Sequence, residues 1–207
     1  YFPFMKNKIQ NCINHCHTCQ TLKYDRKPPK PKFQKPEIPE KPLDIIHTDI
    51  YCINKRNILT IIDKFSKFAA AYSLDSRNSL SILKSFKHFI SLHGIPKKIV
   101  CDQGAEFNAS IIKDFCKMHQ ITLHYTSFHQ STGNSPVERL HSTITETYRI
   151  VYEKYKSSEI PLNHDEILSE VIFTYNNAIH SATKLTPFEL FYGRTYNFEK
   201  TLSYNSE

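Results

Sequence analysis

Apolar positions along the chain change their period several times, and the changes divide it into segments. Residues 3–20 read as a short helical segment that ends in a cysteine pair, and residues 28–42 then carry six of the eleven prolines. Proline fixes φ and lacks a donor, so this stretch is expected to be neither helix nor interior strand but a semi-extended basic linker ending near Pro42. From residue 43 the pattern becomes strand-like over 43–53, 57–64 and 67–74, with β-branched runs such as Ile58-Leu59-Thr60-Ile61-Ile62. The breaks at Asn54-Lys55-Arg56 and Phe65-Ser66 are short, which predicts three consecutive antiparallel strands. Helical spacing follows over 79–93, where Leu80, Leu83, Phe86, Phe89, Ile90 and His93 recur before Gly94-Ile95-Pro96 stops the helix. A short strand over 97–101 comes next, then a helix over 108–119 with Ile111, Ile112, Phe115 and Met118 inward, then a strand over 121–125. Residues 126–135 have turn chemistry, with Ser135 as cap and Pro136 in the first turn of a helix reaching about residue 155. A further helix covers 165–180. The order predicts an α/β fold with a mixed sheet.

The 207 residues, 40% of them hydrophobic, suffice for one core of ordinary size and an appendage. The longest apolar runs fall far short of the roughly 18 residues that span a bilayer, so no membrane helix is expected. The chain begins at Tyr1, and residues 1–10 lack the apolar stretch of a signal peptide. It therefore reads as either a fragment or a segment cut from a longer polyprotein, and secretion is not expected. The net charge of +7 is uneven: residues 1–42 hold nine Lys/Arg against three Asp/Glu, and the remainder eighteen against seventeen. A basic, Pro-broken segment beside a nearly neutral domain suits contact with nucleic-acid phosphates, and equally suits a solvated linker.

Without a secretory signal, the six cysteines are expected as reduced thiols or metal ligands. Cys52 and Cys101 lie in or beside strand-like runs and read as core thiols. Cys16 and Cys19 have the two-residue spacing that lets both thiolates reach one tetrahedral Zn²⁺. The pair is half a site, completed either by His15 or His17 with Cys12 or by residues upstream of Tyr1.

Three carboxylates stand out by position. Asp49 interrupts an apolar strand, which is unfavourable unless it faces a solvated cleft or a metal. Asp102 follows Ile99-Val100-Cys101 and precedes Gly104, at the strand end where α/β sheets place active sites. Glu138 falls in the first turn of the long helix, where the helix dipole by itself also favours an acid. Converging at a sheet edge, the three would offer hard oxygen ligands for two Mg²⁺ or Mn²⁺ ions. Such ions activate water or a 3′-hydroxyl and stabilise the leaving oxygen of an in-line phosphoryl displacement.

Ordered phrases accompany these acids: His47-Thr48-Asp49; Ile62-Asp63-Lys64-Phe65-Ser66-Lys67; His93-Gly94-Ile95-Pro96; Asp102-Gln103-Gly104-Ala105-Glu106-Phe107; Phe128-His129-Gln130-Ser131-Thr132-Gly133-Asn134-Ser135-Pro136-Val137-Glu138-Arg139; Tyr175-Asn176-Asn177; and Thr186-Pro187-Phe188-Glu189-Leu190. Across essentially its whole length the chain resembles the integrases of Gypsy-type LTR retrotransposons and retroviruses, DDE polynucleotidyl transferases with an RNase H-like fold. The resemblance implies a mixed five-stranded sheet flanked by helices, with Asp49, Asp102 and Glu138 as metal-binding catalytic residues. It implies two reactions at one site, hydrolytic trimming of the element's DNA 3′ ends and attack of those ends on target DNA. It also implies DNA as partner, a homo-oligomer that joins two ends to one target, and action in the nucleus. Cys16 and Cys19 become the Cys half of a His-His-Cys-Cys zinc module whose His half lies upstream, in place of Cys12, His15 or His17. Within this sequence the expectation is thus an incomplete Zn²⁺ site. A C-terminal DNA- or chromatin-binding module is expected beyond Glu207.

The organisation so implied is the end of a zinc module over 1–27, the linker over 28–42, a catalytic core over 43–195 and a tail over 196–207. Phe128-His129-Gln130 lacks the proline of the Tyr-His-Pro-Gln phrase common among relatives, which bears on the conformation of that loop. His129, Gln130, Asn134, Lys64, Arg139 and His141 are candidate DNA contacts, and loop or surface polarity accounts for most of them equally well. Two other functions fit the same residues: an RNase H-fold nuclease that cuts without joining, and a domesticated, non-catalytic integrase that binds nucleic acid or protein.

Overall fold

A computed structural model describes residues 2–22, 37–126, 135–157 and 163–196. The chain divides into two compact units, residues 1–37 and 38–207. The first contains α1 (Met5–His15) and α2 (His17–Leu22), parted at Cys16, whose extended backbone ends the first helix. Most of the linker and tail, the 127–134 loop and the Cys19 side chain lie outside the described residues.

The second unit opens with β1 (Ile45–Ile53), β2 (Arg56–Asp63) and β3 (Ala69–Ser73), an antiparallel meander. The β1–β2 turn is a two-residue hairpin with Asn54 and Lys55 both at positive φ, the geometry whose twist matches the flanking strands. The β2–β3 connection is longer than the two residues expected, because Asp63 organises a wider turn. Its buried carboxylate accepts hydrogen bonds from the backbone N–H groups of Leu43 and Ser66 and from the Ser66 hydroxyl, at 2.9, 2.7 and 2.6 Å.

The chain then forms α3 (Ser79–His93), β4 (Lys98–Cys101), α4 (Ser110–Met118), β5 (Thr122–Tyr125), α5 (Ser135–Ser157), α6 (His164–Asn177) and α7 (Pro187–Tyr192). The sheet order is β3-β2-β1-β4-β5, with β4 parallel to β1 and β5 parallel to β4. The expected mixed five-stranded sheet flanked by helices is present. Because β1 sends the chain outward on one side and receives β4 on the other, the β1/β4 boundary is a topological switch point, where α/β sheets open a crevice.

Both faces of the sheet are covered, which explains why β2 reads as an unbroken apolar run. Leu59 and Ile61 point into one core with Ile46, Ile99, Phe86, Phe89, Ile112 and Phe115. Ile58 and Ile62 point into the other with Val137, Leu140, Ile144, Ile167 and Val171. Two expected core positions are surface instead: Leu80 is 63% and Met118 76% exposed. The stripe of α3 that is buried holds Ile82, Ser85, Phe86 and Phe89, and at about 100° per residue Leu80 lies on the opposite side. On α4 the buried stripe is Ile112, Phe115 and Cys116, and Met118 falls about 110° around from its centre. Cys52 is likewise exposed, while Cys101 and Cys116 are core thiols. Ser135 is the first helical residue of α5 and not the residue before it.

Candidate active site

The register of the two central strands builds the site. Pairing of β1 with β4 runs Ile45↔Lys98, Ile46↔Ile99, His47↔Val100. Two residues farther on stand Asp49, still in β1, and Asp102, the first residue past the end of β4, so the two acids meet at the β1/β4 boundary, where the charge of Asp102 acts on the Asp49 carboxyl. Side chains alternate along a strand, and Ile46, Ile99 and Cys101 belong to the core on the α3/α4 face. Asp49 and Asp102 therefore face the other side, the side covered by α5. There Glu138 occupies the first turn of α5, exposed, next to buried Val137. The helix is anchored by Val137, Leu140, His141, Ile144, Tyr148 and Val151, one stripe at helical spacing.

Asp49 is only partly exposed, and its carboxyl is pushed up to about 6, first by burial and then by the negative charges of Asp102 and Glu138. The Ile50 N–H, 2.8 Å from Asp49 Oδ1, and the cationic Arg77 act in the opposite direction. Asp102 Oδ1 accepts from the Gly104 N–H at 3.1 Å, which fixes the turn after β4. Three acids thus share one field around a half-buried carboxylate. Among the described residues no three His, Cys, Asp or Glu side chains converge tightly enough to encage a metal. The donors themselves, acceptor-only oxygens whose mutual repulsion calls for a cation, fit a hard divalent ion.

Arg139 is exposed beside Glu138, and its charge reaches half-buried Lys67 together with that of Lys64. The Lys67 ammonium donates to the Lys64 carbonyl at 2.6 Å. These cations form one basic patch at the β2–β3 turn and the start of α5. His141 is buried, stacked on Tyr51 with ring centroids 4.2 Å apart. Its Nε2 lies 2.8 Å from Thr60 Oγ1, which itself donates to the Asp49 carbonyl at 3.1 Å. The hydroxyl must then accept from His141, so Nε2 carries the proton. Burial lowers the ring to about 4, and His141 would offer a neutral ring to a phosphate. His129, Gln130 and Asn134 fall outside the described residues. Cys16 is partly exposed, Cys12, His15 and His17 are exposed, and no three-ligand cluster occurs among the described residues of that unit.

Ser142, Thr145 and Arg149 continue the face of Glu138 at i+4, i+7 and i+11, as helical spacing predicts, and further residues join them near the site. Tyr51 stands two residues after Asp49, hence on its face, and with Ser142, Thr145 and Arg149 lines a groove along α5. Period two from Asp49 was the available signal. Arg77, which pairs with Glu106 from another loop, had none, and Glu106 was marked only as part of the Asp102–Phe107 phrase. Other phrases prove to be scaffold. Asn176 bonds Ala69 through both backbone groups, accepting at 2.9 Å and donating at 2.8 Å, and so ties α6 to the edge strand β3. Thr186 and Glu189 form a capping box at α7, a helix not anticipated from periodicity. His93 Nδ1 lies 2.7 Å from the Tyr192 hydroxyl, which holds α7 against α3.

Residues 39–131 match the family model described as Integrase core domain. This chain carries an integrase core domain. The retrovirus-related Pol polyprotein from transposon opus of Drosophila melanogaster is 32% identical over 195 residues, covering 94% of this chain and 19% of the polyprotein. That from transposon gypsy of the same fly is 30% identical over 191 residues, covering 92% and 18%. The chain thus spans about a fifth of the length of the curated relatives it matches. Among solved structures, the HTLV-2 integrase catalytic core domain in complex with magnesium, in a trimeric form, superposes with a TM-score of 0.62 at 20% identity. The match covers 73% of this chain and 98% of that one. The second unit accordingly has the RNase H-like fold of an integrase catalytic core. No helix among the described residues is long and apolar enough to cross a membrane.

Proposed function

We propose that this chain is the integrase segment of a Gypsy-type retrotransposon polyprotein and catalyses metal-dependent trimming of DNA 3′ ends and their transfer into target DNA. The observation that carries the reading is the meeting of Asp49 and Asp102 at the sheet's switch point, with Glu138 delivered to the same face by α5. These three residues would hold Mg²⁺ or Mn²⁺, the former being the ion in the HTLV-2 core. When bound, such ions make water or a 3′-hydroxyl a better nucleophile and neutralise charge on the phosphoryl oxygens.

The chain's own residues do the rest. Asp49 is kept rigid by the Ile50 N–H and, through its carbonyl, by Thr60 and His141, so its carboxylate is presented without reorganisation. Asp102 is fixed by the Gly104 N–H. Lys64, Lys67 and Arg139 provide positive charge next to Glu138 for DNA phosphates. Joining two DNA ends to one target requires more than one active site, so the working form is a homo-oligomer on DNA, acting in the nucleus where the target lies. Cys16 and Cys19 would belong to a Zn²⁺ module completed by residues outside this sequence, with residues 28–42 as the linker to the core.

The test is a phosphodiester-transfer assay on a labelled branched DNA with Mn²⁺ or Mg²⁺, comparing the chain with its Glu138→Gln variant. Resolution of the branch by the parent alone is expected, with joined product excluding a purely hydrolytic enzyme. Equal activity in both proteins would refute the assignment of Glu138. DNA binding without transfer in either protein would favour the non-catalytic binding module.

A further inference from the structure

Resting on that reading, we infer that Arg77 is a substrate-positioning residue that grips a DNA phosphate at the mouth of the carboxylate site, held in place by Glu106. Arg77 lies in the loop between β3 and α3, and Glu106 in the loop between β4 and α4, 29 residues apart. The Arg77 Nε donates to Glu106 Oε1. The Glu106 side chain is 14% exposed and that of Arg77 58%, so the carboxylate is the fixed partner and the guanidinium the open one.

Glu106 in turn lies against the active-site turn. A Cβ on Gly104 would lie 2.6 Å from Glu106 Oε2 and 3.1 Å from Asp102 Oδ1, so the glycine is what lets the two carboxylates share one small turn. Gly104 also donates its N–H to that same Asp102 oxygen. Arg77, Glu106, Gly104 and Asp102 therefore form one continuous rim. The positive end of that rim points to solvent, and its charge is felt by both Asp49 and Asp102.

An ion pair this exposed adds little to stability. Its geometry does something else. Glu106 fixes one edge of a planar guanidinium, and a pre-oriented fork at a site for phosphoryl transfer matches the oxygens of a phosphodiester. Arg77 stands at the β3–α3 loop, whereas the Lys64, Lys67 and Arg139 patch stands at the β2–β3 turn and the start of α5. A strand passing over Asp49 and Asp102 would thus meet positive charge from two separate parts of the fold.

The experiment uses the full 207-residue chain with the Glu138→Gln background to keep the substrate intact. Binding of a fluorescein-labelled branched DNA is followed by anisotropy across a series of NaCl concentrations. Arg77→Ala is expected to weaken binding about tenfold and to reduce the slope of log K against log salt by about one, the loss of one phosphate contact. Arg77→Lys should retain the slope and recover part of the affinity. Glu106→Ala should weaken binding less than Arg77→Ala while leaving the slope in place. Unchanged affinity and slope in Arg77→Ala would overturn the proposal. So would a loss of affinity accompanied by a lowered melting temperature that Arg77→Lys does not rescue. Should the alanine variant fail to fold, Arg77→Gln, which keeps a donor for Glu106 without the charge, serves in its place. Transfer by the wild-type chain is measured separately. An altered salt slope with no transfer would sustain the phosphate contact and sink the catalytic reading, and Glu138-dependent transfer with an Arg77→Ala KM equal to wild type would do the reverse.

Discussion

Replacing Asp49 by Asn should make the metal-free protein more stable while abolishing its chemistry. The Asp49 carboxyl is raised from 3.8 to about 6, with burial the largest cause and Asp102 the next. A raised folded value means the native state holds a proton that the unfolded chain has released between about pH 4 and 6, so stability falls as pH rises through that window. Above pH 6 the difference corresponds to about 3 kcal/mol. Asp49 is only partly exposed, and solvent screening of the exposed part reduces the expected effect to about 1–2 kcal/mol. Asn keeps the acceptor for the Ile50 N–H and a similar volume, so little else changes.

The assay is urea denaturation of the parent and Asp49→Asn in EDTA from pH 4 to 8, read by circular dichroism, because the chain has no tryptophan. The variant should gain about 1–2 kcal/mol at pH 8, or about 2–8 °C in melting temperature, and nothing at pH 4. Adding Mn²⁺ should stabilise the parent much more than the variant, because it neutralises the repulsion that Asn has already removed. A variant less stable than the parent at pH 8, or a difference that does not depend on pH, would refute the reasoning.

Other substitutions test the scaffold and the rim. Asn176→Ala removes both hydrogen bonds to Ala69 from a buried position and should cost about 2–4 kcal/mol in urea unfolding, whereas its partly exposed neighbour Asn177→Ala should cost under about 1 kcal/mol. Gly104→Ala places a methyl against the Glu106 and Asp102 carboxylates, so DNA transfer should fall at least about tenfold while circular dichroism stays native; the double change with Glu106→Ala should recover part of the loss, and no loss in the single variant would contradict the geometry. Phe115→Ala should cost about 3–5 kcal/mol and Met118→Ala less than about 0.5, a contrast that checks the orientation of α4 by melting temperature alone.

The elements that sequence reasoning recovered are those whose signal is local. β2 is buried on both faces, so its apolar run was unmistakable, and Asp49 was conspicuous because an acid breaks such a pattern in β1. The misjudged positions share a cause. Leu80 and Met118 are apolar residues near helix ends, where counting hydrophobes without their angle admits residues that miss the buried stripe. Cys52 has apolar neighbours in sequence, yet near the end of β1 it is exposed while Ile53 beside it turns to the other face and is buried. Helix α7 is six residues long, too short for periodicity to register, and its capping box was the only local mark it carried.

The site divides along the same line. Asp49, Asp102 and Glu138 stand at positions a local argument can name, namely mid-strand, strand end and helix start. What surrounds them is set by register and by contacts between distant segments. His141 looked like a free polar residue one turn from Glu138, yet the stripe from Val137 to Val151 carries it inward onto Tyr51 and Thr60, where it braces the strand bearing Asp49. Arg77 is an ordinary loop arginine until Glu106 is brought against it, and the Glu106 carboxylate lies in the space that Gly104 leaves open in the turn after Asp102. The acids are conspicuous in the sequence because of where each stands, an acid inside an apolar strand, one at a strand end and one in a first helical turn. The groups that orient them are not, because their roles arise only once β1 and β4 are side by side, and it is that pairing which turns two separated aspartates into one electrostatic unit.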